Sequence, residues 1–375
     1  MTGSDGVKKV RDPGIDLLRV IACLIVIGTH VDVMGTGDST KLFIRLLLSD
    51  GVTLFFVISG FFFFKKGFKE TLIRSLKSIV LPGIAVMFLT YLFAPFIRGE
   101  KSILQCVVTP EIDLCGFITD VFSWGGGMRE SLASHLWYIF TYLQLVLAYP
   151  LLKPLYTKDD RYRKYRWFIM SFIFINQIIM DLNMTGLISL LPIQISPFML
   201  YTTPAMLLMA GAELAMMMPG LKKSGRLKEV RMGAAVVVAV TLALRFLVQK
   251  EVFRLNSTQD FYIYWNCAFA TVESIAFIIF VLSFDFRGNR PVETVARAGK
   301  YTFFIYLFHY GIYHLLFFRM GPDWNLGLID LTNGYNTLPK EILHLLIRIP
   351  TVFVLSLAAS VVTVRIGEYL KSFKK

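Results

Sequence analysis

Ten uninterrupted apolar blocks divide the sequence, at residues 15–34, 42–64, 78–97, 135–152, 167–183, 197–217, 233–249, 261–283, 301–318 and 344–364. No other feature constrains the fold as tightly. An α-helix rises ~1.5 Å per residue, so about 20 apolar residues cross ~30 Å of hydrocarbon, close to the length of each block. Transmembrane strands alternate in character and run to only ~9–11 residues, which excludes a membrane β-barrel. With 17% charged residues against the ~25% of soluble domains, a cytosolic enzyme and a disordered chain are excluded as well. The expected fold is an all-α membrane protein, a polytopic bundle of about ten transmembrane helices forming a single domain over residues 1–375.

A net charge of +13 raises the question of a nucleic-acid partner, which the positions of the basic residues answer. Of the 39 Lys and Arg, 28 fall within 8–19, 65–77, 153–166, 222–231, 287–300 and 365–375. Those are the segments on one side of the membrane if the spans simply alternate. The positive-inside rule then places both termini in the cytoplasm, and an even number of spans returns the chain there. The charge is topological, with anionic membrane lipids as its partner, and no nucleic acid is implied.

The first block exceeds the ~7–15 residues of a signal-peptide core and no A-x-A-like site follows it, so it is expected to remain as a helix. Cys106 and Cys115 share the longest outer segment, 98–134, and are either free or joined. That segment also holds Trp124-Gly125-Gly126-Gly127, read as a flexible loop. Pro192, Pro197 and Pro204 break residues 184–205, which become a candidate cavity wall.

Ionisable groups inside spans cost at least ~2.5–3.5 kcal/mol each at mid-helix, so they are the first candidates for function. Arg19 and His30 are eleven residues apart, about 20° apart on a helix and ~16 Å along it. They share one face: a cation at its inner end and a titratable imidazole near its outer end. Either this is a working face, or Arg19 snorkels to the interface while His30 bonds a neighbouring helix. Asp50 lies within the second block and needs a cationic partner. A His30–Asp50 pair would orient the imidazole as a general base requires, although the expected depths of the two differ by ~6 Å. His135 and Trp137 open the fourth span, Trp137 alternatively as an interfacial anchor. Tyr306 and Tyr313 flank His309 at helical spacing, whereas His314 is expected on another surface. Glu213 and Glu273 are buried acids with no evident partner. No metal-ligand motif, Walker loop, G-x-G-x-x-G or G-x-S-x-G is present, so no metal site is expected.

At these residues the chain resembles the acyltransferase-3 family of integral-membrane acyltransferases. Gly14-Ile15-Asp16-Leu17-Leu18-Arg19 through His30 resembles the family's first span, and Gly51-Val52-Thr53-Leu54-Phe55-Phe56-Val57-Ile58-Ser59-Gly60-Phe61 its second. His135-Leu136-Trp137-Tyr138 and Gly299-Lys300-Tyr301-Thr302-Phe303-Phe304-Ile305-Tyr306-Leu307-Phe308-His309 resemble two later stretches, in family order. The family's Arg-x-x-Arg stands here as Arg74-Ser75-Leu76-Lys77, which keeps the charge but loses one planar fork. No acidic residue follows in Thr141-Tyr142-Leu143-Gln144.

The resemblance implies transfer of an acyl group, acetyl first, from cytoplasmic acyl-CoA to a hydroxyl of an extracytoplasmic glycan or lipid-linked sugar. Acyl-CoA is then a donor substrate, with no cofactor bound permanently, and the expected location is a bacterial cytoplasmic membrane. Arg19, Arg74 and Lys77 are expected to hold the acyl-CoA phosphates. His30 is the expected base or acyl carrier with Asp50 as its partner, and His135, Trp137, Tyr306 and His309 are expected at the acceptor. The alternative is a transporter or flippase that uses the same cavity without chemistry.

Overall fold

The computed structural model describes residues 11–31, 38–122, 133–156, 160–185, 203–255, 267–319 and 337–373, and among them there is no strand. The helices are α1 (Pro13–His30), α2 (Asp38–Leu47), α3 (Gly51–Phe63), α4 (Phe68–Ser75), α5 (Leu81–Ile97), α6 (Ile103–Val108), α7 (Leu114–Phe122) and α8 (Trp137–Leu147). They continue as α9 (Tyr149–Leu152), α10 (Arg163–Thr185), α11 (Thr203–Lys223), α12 (Leu227–Leu255), α13 (Ala268–Leu282), α14 (Arg290–Ala296), α15 (Thr302–His314) and α16 (Leu338–Ser372).

Wherever it is described, each apolar block is predominantly helical. Six stretches, 13–30, 39–63, 68–97, 203–223, 227–251 and 338–372, are long and apolar enough to cross a membrane. Three apolar helical stretches, 137–147, 268–282 and 302–317, are shorter. The chain is an all-α membrane protein.

Local chemistry sets the helix ends. Asp12 accepts from the Gly14 amide at 2.9 Å and Pro13 opens α1 with its φ already helical. The second block is not one helix: it breaks at Leu48-Ser49-Asp50, between α2 and α3. In the third, a wide turn over Leu76–Val80 joins α4 to α5, so Arg74 and Lys77 ride on the base of a longer helical stretch than its apolar block suggests. Within 98–134 the chain forms α6 and α7, and the Tyr91 hydroxyl bonds Asp120 to tie α7 to α5. Cys106 is buried, Cys115 is exposed, and the two are not joined. The Trp124–Gly127 run and most of 184–205 lie outside the described residues.

Helix α3 is the centre of the bundle and crosses α11 at backbone contact. A Cβ on Gly60 would lie 2.0 Å from the Leu208 carbonyl oxygen, and one on Gly211 would lie 1.9 Å from that of Val57. Only glycine allows this approach, the small-residue packing that brings membrane helices together by van der Waals contact and leaves lipid no room between them. By contrast α5, α12 and α16 present most of their surface outward.

Buried ion pairs fasten the remaining helices. Arg166 pairs with Glu213, donates to the Leu155 carbonyl at 2.9 Å and covers the Tyr156 ring at 5.1 Å, joining α10 to α11. Glu213 therefore has a partner, one that the sequence reading counted among loop charges. Asp181 of α10 accepts from the Ala268 amide at 2.6 Å, at the start of α13.

Candidate active site

Three imidazoles from separate helices meet at one end of the bundle. His30 closes α1, His135 lies in the short turn before α8, and His309 is in the middle of α15. The His309 ring centroid is 5.3 Å from that of His30 and 5.1 Å from that of His135. Tyr310 lies among them, its ring 4.7 Å from His30, 5.0 Å from His135 and 4.4 Å from His314. His314 thus joins the cluster through Tyr310, four residues before it on the same helix face. The expectation of a different surface came from measuring its angle to His309 alone.

Backbone carbonyls fix two of the rings. His309 Nδ1 is 2.6 Å from the Tyr306 carbonyl oxygen, and His135 Nε2 is 3.3 Å from that of Leu307. A carbonyl only accepts, so these nitrogens carry the protons and the opposite nitrogens of the neutral rings carry lone pairs. Those opposite nitrogens, His309 Nε2 and His135 Nδ1, are buried and have no hydrogen-bond partner among the described residues. Tyr306 closes the lock by donating its hydroxyl to the His135 carbonyl. His30 is half-buried and is held by ring contacts rather than by a carbonyl. Among the described residues no group of three side chains is arranged to hold a metal ion.

A row of tyrosines leads from this cluster toward the other end of the bundle. Tyr306 is 5.7 Å from Tyr138, whose hydroxyl is 3.2 Å from Ser59 Oγ, and Tyr138 stacks at 6.3 Å on Tyr142. Tyr142 lies near Ser75 and the charge of Arg74. Arg74 and Lys77 are exposed, and Trp137 is half-buried at the head of α8. Arg19 donates to Asp16 at 2.7 Å and lies 5.1 Å from the Phe62 ring, while Arg11 grips the same carboxylate through two 2.6 Å bonds. Arg74 is therefore at the end of the row away from the imidazole cluster, Lys77 follows it three residues on, and Arg19 lies near Tyr138 in the middle of the row.

Asp50 does not partner His30. Its Oδ1 is 2.7 Å from Arg245 Nη1, which also reaches Glu273 at 3.4 Å, and Arg245 Nη2 is 2.5 Å from Ser49 Oγ. The break before α3 turns Asp50 toward α12 and α13, where a guanidinium supplies the full opposite charge that a buried carboxylate needs. Glu273, read as unpartnered, belongs to the same node. Arg245 and Tyr310 escaped the sequence reading. Arg245 stands inside the apolar block 233–249, and matching it to the lone acid of another span would have found the pair.

No curated protein and no solved structure matches the chain. The family model described as an acyltransferase domain matches residues 12–365, from the cap of α1 almost to the end of α16. Together with the helical architecture, this match shows that the chain belongs to the acyltransferase-3 family and is a membrane acyltransferase.

Proposed function

We propose that the protein moves an acetyl group from cytoplasmic acetyl-CoA to a hydroxyl of an extracytoplasmic glycan or lipid-linked sugar. The supporting observation is the tyrosine row itself, with buried imidazole nitrogens at one end, Arg19 near its middle and Arg74 by its other end. In this reading the CoA phosphates meet Arg74 and Lys77 through charge-assisted bonds, and Arg19, steadied by Asp16, faces the pantetheine arm. His30, the half-buried imidazole, takes the acceptor's proton. The acceptor oxygen attacks the thioester carbonyl, the C–S bond breaks, and the proton ends on the CoA sulfur. His135 and His309 shape the acceptor side, held by their carbonyl bonds, and Trp137 and Tyr306 pack behind them.

The test uses purified protein in nanodiscs with acetyl-CoA and candidate sugar acceptors, read by release of free thiol and by the mass of the acceptor. His30→Ala should abolish transfer and leave CoA affinity intact. Arg74→Ala should weaken CoA binding about 10- to 150-fold, the loss of one charge-assisted contact of ~1.5–3 kcal/mol, while Lys77→Arg should be tolerated. Passage of an unmodified solute with no thiol release would replace this reading with a transporter.

A further inference from the structure

Residues 78–97 carry no charge and are bracketed by Lys77 and Arg98. Their helical rise is ~30 Å, the thickness of the hydrocarbon, so Phe88 is at mid-membrane and Tyr91 is ~9 Å inside the Ile97 end. Helix α7 packs at that depth. The Phe117 ring is 5.6 Å from that of Phe88 and 5.8 Å from that of Tyr91, and the Tyr91 hydroxyl bonds the buried carboxylate of Asp120. Side chains on a helix lean toward its N-terminus, which on α5 is the Lys77 end, so these contacts are no shallower than the Cα positions.

Away from α5 the two short helices are apolar and bare. Leu104, Val107 and Val108 of α6 and Leu114, Ile118 and Phe122 of α7 are between 52% and 75% exposed. Their spacings, i, i+3, i+4 and i, i+4, i+8, put each set on one helix face. Both faces continue the outward surface of α5, where Phe88 and Leu89 are exposed on a helix long and apolar enough to span the membrane. The charges of the segment fall elsewhere. Arg98 pairs with Glu100 at 2.9 Å before α6, and Lys101 pairs with Glu111 at 2.6 Å across it. Water against the apolar faces would be costly, and so would hydrocarbon around the ion pairs. Both costs are avoided if α6 lies flat at the head groups and α7 dips from Asp113 into the acyl chains.

We propose that α6 and α7 form a re-entrant segment whose partner is lipid hydrocarbon, in the leaflet at the Ile97 end of α5, the outer one by the positive-inside rule. The placement accounts for Asp120. A carboxylate washed by water has no need of a tyrosine, whereas one at membrane depth requires a donor, and Tyr91 supplies it. Phe117 and Val121 pack on the cluster that contains Leu136 and Tyr306, so α7 stands between the lipid and the wall of the imidazole site. The proposal does not depend on the acyl-transfer reading.

Cys115, on α7, is exposed and the other three cysteines are buried, so the unsubstituted chain takes a nitroxide label there. In phosphatidylcholine nanodiscs, power-saturation spectroscopy compares its collisions with oxygen, which dissolves in acyl chains, and with a water-soluble nickel chelate. Ile118→Cys in a Cys115→Ser chain moves the label about one turn along α7, and Glu111→Cys in the same chain puts it in the charged turn. The ratio of oxygen to chelate collisions should be at least fivefold higher at position 118 than at 111, and higher at Cys115 than at 111. A ratio at 118 equal to that at 111 places α7 in water and overturns the proposal. Collisions with neither reagent at 118 overturn it too, because the face is then covered by protein, a second copy or another chain. If the Ile118→Cys chain fails to fold, the label on the unsubstituted chain decides by the same comparison with 111. No outcome reads acyl transfer, so failure here leaves that reading where it stands.

Discussion

Replacing Arg245 by methionine should unfold the protein more readily than any change at the imidazole cluster. The guanidinium reaches Asp50 at 2.7 Å, Ser49 at 2.5 Å and Glu273 at 3.4 Å, and methionine fills similar space with no charge. Two carboxylates then stay buried with no positive partner in the node. Breaking a buried pair from one side costs ~3–5 kcal/mol, because the charge left behind has lost its water as well as its partner. Asp50→Asn is the gentler change. Arg245 keeps Ser49 and Glu273, so the loss is one charge-assisted bond, ~1.5–3 kcal/mol. The double variant should be less damaged than the sum of the two, by ~0.5–3 kcal/mol, because each removes the other's stranded charge. Reversible unfolding in mixed micelles, titrated with a denaturing detergent, measures all three, and the rate of acyl transfer is followed alongside. If Asp50→Asn unfolds like wild type yet slows transfer tenfold and moves its pH profile, the carboxylate serves an imidazole and the argument for the node is refuted.

Gly60→Val should abolish recovery of a monodisperse protein on size exclusion, since its Cβ would lie 2.0 Å from the Leu208 carbonyl, far beyond the ~1–3 kcal/mol of ordinary overpacking. Unchanged elution would show that α3 and α11 can separate at no cost. Tyr306→Phe should destabilise by about 1 kcal/mol through the lost bond to the His135 carbonyl and reduce the transfer rate with the KM for acetyl-CoA unaltered. A change confined to that KM would move Tyr306 to the donor side.

Block length and apolarity were enough to read the all-helical membrane class, because hydrocarbon thickness leaves few other solutions. That His30, His135 and His309 belong to one region came from the family resemblance, which named no contact between them, and the stripe of Tyr306, His309 and Tyr313 came from helical spacing. What could not be read was where a helix stops inside an apolar run. Leu48-Ser49-Asp50 sits in a block whose hydrophobicity barely dips, so Asp50 was given the bearing of a continuous helix and the wrong partner. Arg245 was hidden for the opposite reason. Counting cations by loop assigns every one to a side of the membrane and overlooks those that serve as internal counter-ions, Arg245 and Arg166 alike. Tyr310 carries no signature in sequence at all, since its contacts come from three different elements.

The glycine crossing of α3 on α11 has a consequence for how the chain is assembled. Helix α3 enters the bilayer early in synthesis, whereas α11, the helix against which its glycines close, follows only after α4 through α10 have been made. Until then α3 belongs to the span 39–63, with lipid against the strip that will later touch backbone, the first of the two stages by which membrane bundles form. A fragment ending before α11 would hold its spans but not the crossing that gathers them, and α1, which carries His30, would rest on a helix with no seat of its own. The chain therefore has no point before α11 at which it can be divided into a working half.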